Sequence, residues 1–167
     1  MDHLTLKHEE SSRLLDSVGW HILSELQTDA RMSFSELGRR VGLTSPAVAE
    51  RVRRMEEAGI ISGYHVSVNP AAVGLSITVI ILMEVNDCRW VSDHFAARTE
   101  DDIPEIVECF RVTGEYSFVM KAVVTSVTHL ESLIDRLTAL GDVVTSIVLS
   151  SPVAGRPIRR QMIDPPE

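Results

Sequence analysis

Residues 34–63, FSELGRRVGLTSPAVAERVRRMEEAGIISG, constrain this chain more than any other stretch. They read as a helix, a tight turn at Gly42, a second helix and the start of a strand. In the second helix Val48, Val52 and Met55 recur at i, i+4 and i+7, forming one apolar stripe that a helix turns toward a core. Phe34, Leu37 and Val41 form the matching stripe on the first helix. Two short helices with facing stripes and a tight turn between them read as a helix-turn-helix. Thr44 is placed to cap the second helix, and Pro46 sits in its first turn, where a missing N–H costs little. Gly59 stops it.

The charge pattern points the same way. From Ala30 to Met55 there are six arginines (31, 39, 40, 51, 53 and 54) against two acids, Glu36 and Glu50. The whole chain carries −8, so the rest carries −12. A basic patch on an acidic protein is a localised electrostatic footprint, the distribution of a DNA reader rather than of a solvated hairpin. Pro46, Glu50, Arg53 and Glu57 lie on the polar face of the second helix, with Arg54 to one side and Arg51 at the edge of the stripe. Arg53, with Glu50 and Pro46, is assigned to base edges, since an Arg–guanine pair carries about 1–3 kcal/mol of discrimination. Glu50 suits a cytosine amino group, or equally an intrahelical pair with Arg54 at i+4. Arg39, Arg40, Arg51 and Arg54 are assigned to phosphates, and Ser45, near the helix N-terminus, to a further phosphate bond.

The remaining composition excludes other classes. The longest apolar run begins at Val79 and breaks at Glu84, short of the ~18 residues of a membrane span. The polar N-terminus resembles no signal or transit peptide, so a cytoplasmic, nucleoid-associated protein is expected. Cys88 and Cys109 lack a CxxC partner, and the histidines are scattered without metal-ligand spacing. With no His/carboxylate pair at useful spacing and no Gly-rich phosphate loop, neither an enzyme nor a metal or cofactor is expected. Trp20 and Trp90 read as core or interface aromatics.

Length and punctuation divide the chain into an arm over 1–14, a helix-turn-helix domain over 15–63, a strand and linker over 64–75, a second domain over 76–152 and a tail over 153–167. A helix over 19–27, with Val18, Ile22 and Leu26 on one side, closes the first core. Ile60 to Val68 is rich in β-formers and predicts a strand. In the second domain, strands are predicted over 77–85, 106–113, 117–124 and 143–150, the first buried on both faces. Helices are predicted over 90–100 and from a capping box at Thr128, the latter burying Leu130, Leu133, Ile134, Leu137 and Leu140 and ending at Gly141. The order β-α-β-β-α-β is the ferredoxin-like split unit. Its open sheet face needs a cover, and a second subunit is the natural one. The tail, with Arg156, Arg159 and Arg160, either crosses to that partner or stays loose.

A helical DNA-binding triad joined through a strand to a βαββαβ module resembles the Lrp/AsnC (feast/famine) family of transcription regulators. The resemblance runs from Leu15 to about Pro157. It is carried by Leu15-Asp16, Ile22-Leu23, Asp29-Ala30-Arg31-Met32-Ser33, Val41-Gly42-Leu43-Thr44, Arg51-Val52-Arg53-Arg54-Met55-Glu56, Gly59-Ile60-Ile61-Ser62-Gly63-Tyr64 and Val112-Thr113-Gly114-Glu115-Tyr116. It implies an α+β protein: a winged-type helix-turn-helix domain followed by a ferredoxin-like effector and oligomerisation domain. It also implies a homodimer, often assembled into tetramers or octamers, that binds double-stranded DNA and takes amino-acid effectors between modules. Gly114, Glu115, Tyr116, Ser117, Thr145 and Ile147 are then the candidate effector residues.

Three positions depart from the family pattern. Gly19 stands where an acidic helix cap is usual. Ser117 stands where an aspartate commonly pairs with an amino acid's ammonium group, and a neutral hydrogen bond is roughly half as strong. Ile147 replaces a hydroxyl. The expected function is therefore sequence-specific DNA binding modulated by an amino acid or related small molecule. The alternatives are a ligand-independent architectural DNA-binding protein and a protein-interaction module.

Overall fold

The computed structural model describes residues 13–85 and 103–163. The helix expected over 90–100, Cys88, Trp90 and most of the 1–14 arm lie outside them. Two compact units form, one from Met1–Val66 with Val153–Glu167, the other from Ser67–Pro152.

Among the described residues the first unit contains the α-helices α1 (Ser17–Thr28), α2 (Phe34–Val41) and α3 (Ser45–Glu57). Its core is Leu14, Ile22, Leu26, Leu37, Val48, Val52 and Met55, so the α3 stripe is buried as its spacing predicts, and Leu14 is part of the core. Phe34 is not: it is the first residue of α2, projects off the end of the stripe and remains 41% exposed.

The helix ends depart from the expectation in two places. Helix α1 starts at Ser17, and the Asp16 carboxylate accepts the Gly19 N–H at 2.7 Å. The acidic cap is therefore present three residues before Gly19, which lies inside the first turn. A Cβ there would stand 1.8 Å from the Leu14 carbonyl oxygen. Glycine is needed for close approach, not as a substitute cap. Thr44 occupies the N-cap of α3 in extended conformation, but its hydroxyl makes no capping bond. At the other end Gly59 takes φ +73°. Its N–H reaches the Glu56 carbonyl at 3.0 Å and the Ile60 N–H reaches that of Met55 at 2.9 Å. This is a Schellman stop, as the sequence predicts.

The expected strand over 60–68 is not formed. Residues 63–69 take no regular structure, and Val66 and Val68 are 90% and 61% exposed. β-forming side chains do not make a strand without a ladder partner. This segment, without regular structure, leads into a 3-10 turn over Pro70–Val73.

The second unit is a four-stranded antiparallel sheet of β1 (Ile77–Glu84), β2 (Ile106–Arg111), β3 (Phe118–Val124) and β4 (Asp142–Ile147), in the order β2-β3-β1-β4. Helix α4 (Val127–Thr138) packs Leu130, Leu133 and Leu137 on Val79, Ile81, Met83, Phe118, Met120, Ala122 and Val124. Strand β1 is not buried on both faces. Val79, Ile81 and Met83 are covered, while Ile80 and Leu82 on the opposite face are only half-buried. On that open face Leu82 pairs with Val119 and Val144, and Val119 with Phe110.

Two further expectations change. The cap of α4 is Ser126, which accepts the His129 N–H at 3.1 Å, and Thr128 lies in the first turn. The helix ends at Thr138, and Gly141 serves contact rather than capping: a Cβ there would sit 2.3 Å from the Glu84 carbonyl oxygen.

Candidate nucleic-acid interface

Helix α3 presents Pro46 in its first turn and Glu50, Arg53, Arg54 and Glu57 exposed along its outer side, with Ser45 half-buried at its start. Arg53 grips Glu50 with two nitrogens, Nη2 at 2.7 Å and Nε at 2.9 Å, and its Nη1 reaches Glu57. The hydrogen bond from Arg53 holds the Glu50 carboxyl below its ordinary range, and Glu50 in turn raises the Arg53 guanidinium. Glu50 thus pairs with Arg53 at i+3, and the Arg54 charge at i+4 adds to the pull on the same carboxyl.

Helix α2 repeats the pattern. Arg39 pairs with Glu36, while Arg40 reaches Glu36 at 2.9 Å and Glu25 of α1 at 2.6 Å. Both arginines depress the Glu36 carboxyl. Arg39 remains 76% exposed in its side chain. Glu25 and Glu57 border the patch from outside the Ala30–Met55 window. Glu57 stands on the polar face where helical spacing puts it, i,i+4 from Arg53, whereas Glu25 reaches Arg40 only through tertiary packing. The patch is thus a set of exposed arginines held pre-oriented by carboxylates. Such surface pairs contribute about 0–1 kcal/mol each.

Arg51 differs from the others. Its side chain is only 24% exposed and pairs with Asp16, and its Nη2 lies 3.5 Å from the Leu14 carbonyl. Its Nε is buried without a hydrogen-bond partner. Tyr64, just beyond α3, donates its hydroxyl to Glu56 at 2.9 Å; burial and that carboxylate push its pKa up to about 12.

The candidate effector residues are not brought together within one chain. The Gly114–Ser117 turn leads into β3 on one side of β1, and Thr145 and Ile147 lie in β4 on the other. Gly114 takes φ +118° and is exposed, as is Glu115; Tyr116 is half-buried. The Ser117 hydroxyl takes the Val85 N–H at 3.3 Å and lies 3.5 Å from the Val85 carbonyl. Thr145 is half-buried opposite Ile81, and Ile147 is 49% exposed opposite Val79.

Sequence spacing also hid a His/carboxylate pair. Glu105, 10% exposed in its side chain, lies 2.9 Å from His129 Nε2 and accepts from Arg136. Burial pushes this carboxyl up, but hydrogen bonds from His129, its own backbone and Arg136 outweigh it and hold it below its ordinary range. The cluster pins the start of α4 to the segment before β2. Among the described residues no group of three or more His, Cys, Asp or Glu could hold a metal, and no helix is long and apolar enough to cross a membrane.

Comparison with known proteins accounts for both units. The model for AsnC-type helix-turn-helix domains matches residues 15–56, and that for the Lrp/AsnC ligand binding domain matches residues 78–158. An uncharacterised helix-turn-helix transcriptional regulator of Bacillus subtilis strain 168, YezC, is 42% identical over 137 residues, covering 82% of this chain and 95% of that protein. The structure of B. subtilis LrpC superposes with a TM-score of 0.75 at 30% identity, over 82% of this chain and 96% of that one. The feast or famine regulatory protein of Mycobacterium tuberculosis, complexed with L-methionine, gives 0.74 at 35% identity, over 85% and 97%.

Proposed function

Because this chain belongs to the Lrp/AsnC family of DNA-binding transcription regulators, we propose that it reads a specific operator with α3, in the cytoplasm and on the nucleoid. The observation that carries this reading is the exposed Glu50–Arg53–Glu57 face of α3, flanked by Arg39 and Arg40 of α2. Arg53, with Glu50 and Pro46, contacts base edges; Arg39, Arg40, Arg54 and Ser45 hold phosphates. Arg51 lends at most its outer edge, since its guanidinium is engaged with Asp16. The protein acts as a regulator and not as an enzyme, in keeping with the regulators it resembles.

The apolar open face of the sheet, with Phe110 54% and Val144 48% exposed, supports assembly with further copies. A dimer would set two α3 helices in successive major-groove faces, roughly 10 bp or a multiple apart. The separation of Gly114–Ser117 from Thr145 and Ile147 within one chain supports a ligand held between modules of different subunits. The L-methionine complex of the mycobacterial relative supports an amino acid as that ligand. A second reading, ligand-independent architectural binding, is favoured by the Ser117 hydroxyl being engaged with Val85.

The test is binding of purified protein to a labelled fragment of its own upstream region, across a salt series, with unrelated DNA as competitor and with and without L-amino acids. Saturable, salt-sensitive binding that survives the competitor supports the specific regulator, and an amino-acid response the effector. Equal affinity for both DNAs supports the architectural reading. Loss of binding even at low salt overturns DNA recognition, because counterion release makes any phosphate contact strongest there.

A further inference from the structure

A cleft of about 370 Å³ opens in the helical unit between α1 and the segment after α3. Trp20, Leu23, Leu26, Ile60 and Ile61 line it, together with Ile158 from the far end of the chain. At its rim the side-chain amide of Gln27 engages the Ile158 backbone in both directions. Nε2 donates to the Ile158 carbonyl at 3.0 Å, and Oε1 accepts the Ile158 N–H at 2.8 Å. This reciprocal pair copies the two bonds by which one strand residue holds its neighbour. Gln27 Nε2 also reaches the Leu23 carbonyl at 3.2 Å, which fixes the amide's orientation. DNA recognition uses neither Gln27 nor Ile158.

The contact is shallow. Ile158 lies across the mouth of the cleft and keeps 63% of its surface exposed, so two hydrogen bonds and a partial apolar cover hold it. Contacts of that kind open and close far below the threshold of global unfolding.

We propose that residues 153–163 form a C-terminal strap that docks reversibly over this cleft, keyed by Gln27 to Ile158. The strap returns the chain to the helical unit after the sheet unit, giving the two a second covalent connection beside the 64–75 linker. Its anchor, Ile158, lies eleven residues after Ile147. If the effector reading of Thr145 and Ile147 holds, a ligand that moves the end of β4 loads or slackens the strap at α1. Docking itself does not depend on that reading.

Trypsin tests it directly, because Arg159 and Arg160 lie just beyond the anchor, whereas the Arg156–Pro157 bond is a poor substrate. Limited digestion of the full chain, read by mass spectrometry, is compared with digestion of a synthetic 153–167 peptide. Docking slows cleavage after Arg159 and Arg160 by about tenfold or more, since cleavage follows the open fraction. Gln27→Ala and Ile158→Asp each return most of that rate, and Gln27→Glu, which keeps the acceptor and loses the donor, falls between. Ile158 lies outside every helix, so Ile158→Asp remains informative should Gln27→Ala weaken α1; unchanged thermal unfolding marks a local effect. Cleavage of the wild-type chain as fast as the peptide, or rates untouched by both substitutions, overturns the strap. No DNA enters the assay, so its outcome is separate from that of the operator test.

Discussion

Arg51, in the middle of α3, forms an ion pair with Asp16, the residue that caps α1. The same carboxylate accepts the Gly19 amide, so one side chain joins the start of α1 to the middle of α3. An arginine that the sequence assigns to phosphate therefore braces the orientation of α3. Its stem packs where the stripe ends, and its head satisfies an anion at the edge of the core.

Arg51→Ala should lower stability by about 1–2 kcal/mol, through lost packing and an unpaired cap partner. Arg39→Ala, whose pair with Glu36 is exposed, should stay within about 0.5 kcal/mol of wild type. Urea unfolding distinguishes them. Equal losses in the two variants would show that Arg51 is an ordinary surface residue.

Acid should probe the same pair. The Gly19 amide, assisted by Arg51 and opposed by slight burial, holds the Asp16 carboxyl below its ordinary value of 3.8. A depressed folded pKa contributes stability above the unfolded value and loses it as pH falls through the folded one. Asp16→Asn should therefore be less stable than wild type at pH 7, and the gap should close below about pH 4. Glu36, Glu50 and Glu105 are depressed as well, so the difference between the two urea-midpoint curves, not either curve alone, isolates Asp16. Curves that stay parallel down to pH 3 would remove Asp16 as an acid-sensitive link.

On DNA, the pre-paired arginines should separate by role. Arg53→Ala should cost about 1–3 kcal/mol on the operator and little on unrelated DNA, so discrimination by the competitor fails. Arg39→Ala should weaken both DNAs alike and reduce the slope of log affinity against log salt by about one. Glu57→Gln removes a negative charge from the reading face and frees one Arg53 nitrogen, so it should tighten both complexes. Uniform weakening by Arg53→Ala would move that residue from base to phosphate.

How much was legible depended on whether the deciding interaction was local. The α3 stripe, the Gly59 stop and the order of the strands follow from periodicity and from residues a few positions apart, and the structure has them as read. The cap at Asp16 is hidden in the sequence because Gly19 marks a plausible helix start. Its second function needs Arg51, 35 residues away, which no helical spacing reveals. Ser126 is likewise masked by the capping-box pattern that starts at Thr128. The strand over 60–68 failed for a different reason, since β-propensity reports a fit to a pleated neighbour that one chain does not supply there. Glu105 with His129, and Gln27 with Ile158, come together only through tertiary closure, at separations of 24 and 131 residues.

Two glycines carry the last prediction, because the backbone leaves no room at either. A Cβ on Gly19 would lie 1.8 Å from the Leu14 carbonyl oxygen and 2.9 Å from the Met55 Cε. One on Gly141 would lie 2.3 Å from the Glu84 carbonyl oxygen and 2.8 Å from the Val85 Cγ1. In each case the nearest obstacle is main chain, which cannot swing aside as the end of a side chain can. Alanine at either site should cost about 1–3 kcal/mol or more, as overpacking does. Gly59→Ala meets no atom within 4 Å, so only the strain of its φ of +73° remains, which makes it the milder change at about 1 kcal/mol. In a Trp90→Phe background, Trp20 fluorescence follows the helical unit alone. Gly19→Ala should lower that unfolding midpoint and weaken DNA binding, whereas Gly141→Ala should leave the Trp20 signal nearly unchanged and lower the stability of the sheet unit. A Gly19→Ala protein as stable as Gly59→Ala would mean that the Leu14 turn yields, and that the cap at Asp16 rather than the close packing behind it fixes where α1 begins.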